Sequence, residues 1–131
     1  MGDTGSNSVG DYELGIETMK SLWGEDMTAK MRSIWSQASP DAERYIVAVS
    51  LGEVWTRPHL DLKTRSLITL AASVALERED QVRLHTHGAL HCGASPEEIR
   101  EVIIQLMIYA SFPAGWKAMV AASEVIEQGD R

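Results

Sequence analysis

Three of the four histidines, the only cysteine and an arginine at the head of an apolar run fall between Leu60 and Gly93. The stretch opens Leu60-Asp61-Leu62-Lys63-Thr64-Arg65-Ser66 and closes Arg83-Leu84-His85-Thr86-His87-Gly88-Ala89-Leu90-His91-Cys92-Gly93. An imidazole moves protons near neutral pH, a thiolate attacks or binds metal, and a guanidinium fork holds a carboxylate. Three chemistries therefore compete here: acid–base catalysis, thiol chemistry and metal binding.

Helical spacing separates them. His85 and Cys92 are seven residues apart, so they share a helix face at a distance of roughly 10.5 Å. Gly88 and Ala89 lie between them, one turn from His85. Two nearly bare positions leave room for a small ligand beside the ring, or else they serve close helix packing with His85 hydrogen-bonded in the core. His87 and His91 are four apart and occupy another face. Such a pair suits zinc, but no third ligand and no H-E-x-x-H pattern accompanies it. No metal is expected, and the pair reads as a solvated or subunit-contact face. Cys92 sits near a helix C-terminus, where the dipole disfavours a thiolate. It reads as a small buried residue, and a single cysteine excludes an intrachain dithiol. Arg65 either forks onto a substrate carboxylate or forms an ordinary salt bridge to Glu53 or Asp61. Glu53, in the apolar run Ser50-Leu51-Gly52-Glu53-Val54-Trp55, either pairs with Arg65 or His85 or has a raised pKa and acts as an acid.

The elements that must position these groups are helical. Residues 1–10 are polar and Gly/Ser-rich and read as a disordered tail, without a signal peptide. A single all-α domain is expected over residues 11–131, with about six helices and short connections. Apolar spacing from Asp11 to Gln37 predicts a helix that Gly24 breaks in two. Ser39-Pro40 starts a second helix, which carries Tyr45, Ile46 and Val49 and ends between Gly52 and Trp55. Asp61 caps a third, over Leu62 to Leu76, and a fourth runs from Gln81 to His91 with Gly93 as its stop. Ser95 and Glu98 form a capping box for a fifth helix ending near Ser111. A last helix spans Ala114 to Ile126. No alternating strand pattern and no repeat competes.

Twelve basic residues against nineteen acidic ones give a formal charge of −7, which argues against nucleic acid and against anionic membrane surfaces. No apolar run reaches the roughly 20 residues of a membrane span. The lone cysteine points to a reducing, cytoplasmic setting.

The motifs also resemble a known family. Gly52-Glu53-Val54-Trp55-Thr56-Arg57-Pro58-His59-Leu60-Asp61-Leu62-Lys63-Thr64-Arg65-Ser66 is similar to the signature of the carboxymuconolactone decarboxylase family, γ-carboxymuconolactone decarboxylase branch. Arg83-Leu84-His85, Gly88-Ala89-Leu90, Gly93-Ala94-Ser95, Glu97 to Val102, Tyr109-Ala110 and Pro113-Ala114 continue it, so that it covers Ala42 to Ile126. The resemblance implies an all-α subunit built on a helical hairpin, a homotrimer or homohexamer, and no cofactor. It implies that His85 is the active-site histidine and Glu53 its acid–base partner. The family's peroxidases carry Cys-x-x-Cys just ahead of that histidine, whereas Arg78 to Gln81 here holds no sulfur. Two departures bear on the substrate. His91-Cys92 stands where the branch has Asn-Asn, and Ser111-Phe112 where it has Gly-Val; Trp116 is also bulky for its place.

The implied reaction is loss of CO2 from γ-carboxymuconolactone, or a related carboxylated lactone, to give the enol-lactone in aromatic-compound breakdown. The lactone carbonyl receives the electron pair, so the substrate supplies its own sink. Arg65 would hold the spectator carboxylate, His85 would stabilise the oxyanion and deliver the proton, and Trp55 and Cys92 would shape the pocket. The alternatives are a lyase, isomerase or hydrolase acting on another keto acid or metabolite, and a non-catalytic oligomer whose pocket is filled by Phe112 and Trp116.

Overall fold

A computed structural model describes residues 10–129. The tail expected over residues 1–9 lies outside the described residues. Gly10, assigned to that tail, is instead packed: a Cβ there would run into the Ala48 carbonyl, and the neighbouring Asp11 N–H donates to Ala48 O at 2.9 Å. The described residues form six α-helices and one π-helical segment, with no strand among them. The described residues pack as two compact units, one ending at Leu60 and the other starting at Asp61. The division falls after Arg57-Pro58-His59, where proline stops the helix and leaves an irregular connector.

In the first unit, α1 (Tyr12–Ala38) is capped by Asp11, whose carboxylate accepts from Leu14 N–H at 3.0 Å. Gly24 leaves helical geometry at φ +82°, which produces the expected break. Trp23 and Trp35 meet edge to face across the kink at 6.3 Å. Ser39 caps α2 (Pro40–Tyr45) by accepting from Ala42 N–H at 3.1 Å. The chain then widens into a π-helical segment over Ile46–Val54. Gly15 and Gly52 let its backbone and that of α1 touch. A Cβ on Gly15 would strike the Val47 carbonyl, and one on Gly52 the Asp11 carbonyl. Buried Glu43 ties the unit together. It accepts from Tyr12 Oη at 2.7 Å and from Arg32 Nε at 3.2 Å, while Arg32 Nη2 donates to Tyr12 Oη at 2.9 Å.

The second unit is a four-helix cluster. Its first two helices, α3 (Leu62–Ala75) and α4 (Glu79–His91), form the expected hairpin. Asp61 caps α3, accepting from Thr64 N–H at 2.8 Å. Glu77 ends α3 in the left-handed region at φ +57°, while Arg78 N–H bonds to Ser73 O at 2.9 Å. Gly93, φ +98°, ends α4 in the same manner, with Ala94 N–H on Ala89 O at 2.9 Å. The capping box at Ser95 and Glu98 opens α5 (Pro96–Tyr109). The last helix, α6 (Phe112–Gly129), begins two residues earlier than expected because Ser111 Oγ accepts from Ala114 N–H at 3.1 Å and caps it. Leu70, Val74, Ile99 and Ile103 build the core against Ala89, Ala118 and Ala122, whose small side chains let α4 and α6 approach closely.

Candidate active site

His85 lies two turns into α4, where its neighbours Leu84 and Thr86 are also buried. Only 7% of the residue is exposed. Burial disfavours the imidazolium and pushes the pKa down from 6.5 to about 4, so the ring is neutral at physiological pH. Its Nε2 sits 3.2 Å from Oε1 of Gln81, one turn earlier on the same helix. Gln81 was missed among the sequence candidates. The signal was present, since glutamine four residues before histidine is at contact spacing on a helix.

Cys92 is the C-cap of α4, half-buried. Ser66 in the first turns of α3 is fully buried, and its hydroxyl rests against the Cys92 sulfur without forming a full hydrogen bond. Burial raises the thiol pKa, contact with Ser66 opposes that rise, and the Asp61 charge adds to it. The thiol is thus held protonated, as expected of a residue at a helix C-terminus. Arg65 precedes Ser66 and is half-buried at the head of α3. Its carbonyl accepts from the Thr69 hydroxyl at 2.8 Å. Arg65 and Cys92 therefore share the open end of the α3–α4 hairpin, and His85 stands about two turns back along α4.

Glu53 and Trp55 belong to the first unit, at the close of the π-helical segment. Glu53 is exposed there, so the apolar letters around it do not bury its carboxylate, and Trp55 is half-buried. A π turn offsets side chains from the 3.6-residue period, which is why the neighbouring Leu51 and Gly52 are buried while Glu53 and Val54 are not. Such segments occur disproportionately at functional sites.

The small residues beside His85 are packed. Gly88 is buried, and Ala89 is fully buried within the core, so at Ala89 close helix packing replaces the open space allowed for in the sequence. A groove of about 520 Å³ lies between α3 and α5, floored by Leu67, Ala71, Val102 and Leu106. Phe112 and Trp116 are 66% and 64% exposed and do not fill a core. His87 and His91 stack with ring centroids 6.4 Å apart. Among the described residues no three His, Cys, Asp or Glu side chains converge as metal ligands. None of the described helices is long and apolar enough to cross a membrane.

Residues 40–124 match the model of the "Carboxymuconolactone decarboxylase family". The chain is 34% identical over 116 residues, 88% of its length, to a 4-carboxymuconolactone decarboxylase of Acinetobacter baylyi (strain ATCC 33305 / BD413 / ADP1), covering 87% of that protein. It is 29% identical over 115 residues, again 88% of its length, to the nitrosuccinic acid decarboxylase npaB of Metarhizium robertsii (strain ARSEF 23 / ATCC MYA-3075), covering 80% of that protein. A 15.0 kDa protein of Paracoccus denitrificans, uncharacterized, is 36% identical over 81 residues, 60% of each chain.

Proposed function

The chain belongs to the carboxymuconolactone decarboxylase family, and we propose that it is a cofactor-free carboxy-lyase. Its substrate would be γ-carboxymuconolactone or a related carboxylated lactone, converted to the enol-lactone with release of CO2. The observation that carries this reading is His85: a buried, uncharged imidazole on the helix that holds the family motif. Such a ring is poised to gain a proton when negative charge arrives beside it, because an opposite charge reverses the burial penalty.

The chemistry follows from the substrate. The carboxylate leaves as CO2, and its electron pair moves through the conjugated lactone onto the carbonyl oxygen. His85 acquires a proton from solvent as the anionic substrate enters, stabilises the oxyanion and delivers the proton to carbon. Arg65 forks onto the carboxylate that is retained. Trp55 and Cys92 keep the proposed role of shaping the substrate site, and Glu53 that of acid–base carboxylate. Exposed Ile104, Ile108, Tyr109, Phe112 and Trp116 along α5 and α6 support a homo-oligomer, a trimer or hexamer, since monomers rarely expose so much apolar surface. The enzyme would work in the cytoplasm.

The deciding assay supplies γ-carboxymuconolactone to the purified protein and follows CO2 and ultraviolet absorbance together. Release of one CO2 per lactone consumed supports the proposal, and absorbance loss without CO2 removes it. A second reading, decarboxylation of a different acid, is favoured by the His91-Cys92 departure and by the nitrosuccinic acid decarboxylase relative. A nitro group, like a conjugated lactone carbonyl, accepts the electron pair of a departing carboxylate. Turnover of nitrosuccinate but not of the lactone would select it.

A further inference from the structure

The segment that carries Glu53 is wound more widely than an α-helix. π-Helices are rare and mostly single turns. Ile46–Val54 runs for nine residues, and Trp55 N–H, which closes it, still reaches back five residues to Ser50 O at 2.9 Å. Each π turn holds about one residue more than an α turn, and one residue on a helix is about 100° of rotation. With Tyr45 fixed, relaxation to an α-helix would swing Glu53 about the axis by roughly a quarter turn or more. The Glu53 side chain is exposed, so packing does not fix its bearing and the backbone register must.

Two sets of contacts oppose that relaxation. The first joins backbone to backbone at the start of α1. Asp11 N–H donates to Ala48 O at 2.9 Å, Gly15 lies against the Val47 carbonyl, and Gly52 lies against the Asp11 carbonyl. A Cβ on Gly15 would meet that carbonyl, and main chain cannot swing aside as a flexible side chain can. The second set closes the far end. The last carbonyls of a helix lack an N–H from a following turn. The Thr56 hydroxyl donates to two of them, Gly52 O at 3.0 Å and Glu53 O at 3.1 Å. One of those carbonyls belongs to Glu53 itself.

Resting on the decarboxylase reading, we propose that Gly15 and Thr56 are positioning residues for Glu53: they lock Ile46–Val54 in its π register and so set the direction in which the acid–base carboxylate is presented. Gly15 acts by having no side chain, and Thr56 acts through its hydroxyl.

The test combines kinetics on the full-length protein with crystal structures of the variants. Thr56→Val should lower kcat about two- to tenfold with KM held, the worth of one neutral hydrogen bond. Thr56→Ser keeps the hydroxyl and should restore the rate. Gly15→Ala should cost more and move the Trp55 N–H from Ser50 O to Leu51 O, one α-helical step. Residues that act through one another are not additive. In a Glu53→Gln background, Gly15→Ala and Thr56→Val should therefore cost little further. Equal fold-losses with and without the Glu53 carboxylate would reveal general structural damage and overturn the proposal. So would Gly15→Ala with native kcat and the Ser50 bond intact, or Thr56→Val at the native rate. Should Gly15→Ala fail to fold, the Thr56 pair decides alone. A shifted register in Gly15→Ala, in a protein that decarboxylates no lactone, supports the lock and removes the substrate reading instead.

Discussion

The Ser66 hydroxyl rests against the Cys92 sulfur, where the head of α3 meets the end of α4. Burial at that junction, more than the contact, sets what the only cysteine can do. Burial raises the thiol pKa more than Ser66 lowers it, so little thiolate is present near neutral pH. Iodoacetamide should therefore alkylate Cys92 much more slowly than it alkylates an unhindered thiol, with the rate climbing as pH rises past the ordinary thiol range. Alkylation near neutrality as fast as that of a small free thiol would show a thiolate and reopen nucleophilic chemistry.

His85 makes stability depend on acid. In the folded protein its pKa is about 4, against 6.5 for an exposed imidazole. Above pH 6.5 neither state carries the proton, and burying the ring has no charge penalty. Between 6.5 and 4 the unfolded chain binds a proton that the folded chain does not, so stability falls as pH falls. The loss is on the order of 3 kcal/mol across that window. Urea midpoints measured across the window should decline in the native protein and decline less in His85→Gln. Parallel declines in the two proteins would assign the acid sensitivity to other groups.

In the proposed reaction, His85→Ala should lower kcat by roughly 10²–10⁴ with the fold intact, the range for a positioned acid–base group. Arg65→Lys keeps the charge but loses the planar fork, so it should chiefly raise KM. Steady-state kinetics with far-ultraviolet circular dichroism separates these outcomes from unfolding. Turnover by His85→Ala near the native rate would remove the histidine from the chemistry, and unchanged kinetics in Arg65→Lys would remove the arginine from the site.

Cap chemistry is local, which is why Ser39, Asp61, Ser95 and Gly93 marked helix ends in the bare sequence, and why Gly24 marked the kink. Ser111 was as local a signal, but Phe112-Pro113 after it read as a break and hid the cap. The π-helical segment was not legible, because its apolar letters satisfy a 3.6-residue period as well as a wider one. That ambiguity misjudged Glu53: an apolar neighbourhood in sequence became an exposed carboxylate. For His85, the spacing placed Gly88 and Ala89 one turn away, but whether small residues make a pocket or a packing surface depends on the facing helix. Here α6 brings alanines to it. The division at Leu60 depends on contacts between distant residues, which composition does not encode.

Glu77 holds a backbone shape that side chains resist. It closes α3 at φ +57°, a place usually filled by glycine. Its carboxylate meets Lys117 Nζ at 3.3 Å, an exposed pair worth between about 0 and 1 kcal/mol. Glu77→Gly relieves the left-handed strain, and Glu77→Ala keeps the strain while losing the pair. The glycine variant should be more stable than the alanine variant by about 1 kcal/mol. Thermal unfolding of the two side by side checks this, and equal midpoints would mean that the turn is not strained.

Thr86, next to His85, is fully buried, and its hydroxyl has no hydrogen-bond partner among the described residues. Its helical neighbours on the same face, Val82 and Ala89, are core residues, so the hydroxyl enters an apolar region. A threonine on a helix commonly bonds back to the carbonyl four residues earlier, as Thr69 and Ser73 do in α3. Without that bond, the buried oxygen costs roughly 1–3 kcal/mol of desolvation. Thr86→Val replaces the hydroxyl by a methyl of similar shape and should stabilise the protein by about 1 kcal/mol or more. Thr86→Ser keeps the oxygen and opens a small cavity, so it should destabilise by about 1 kcal/mol. Denaturant midpoints for both variants decide the matter. A loss of stability in Thr86→Val would mean that the hydroxyl is already satisfied by a buried water and belongs to a polar network behind His85.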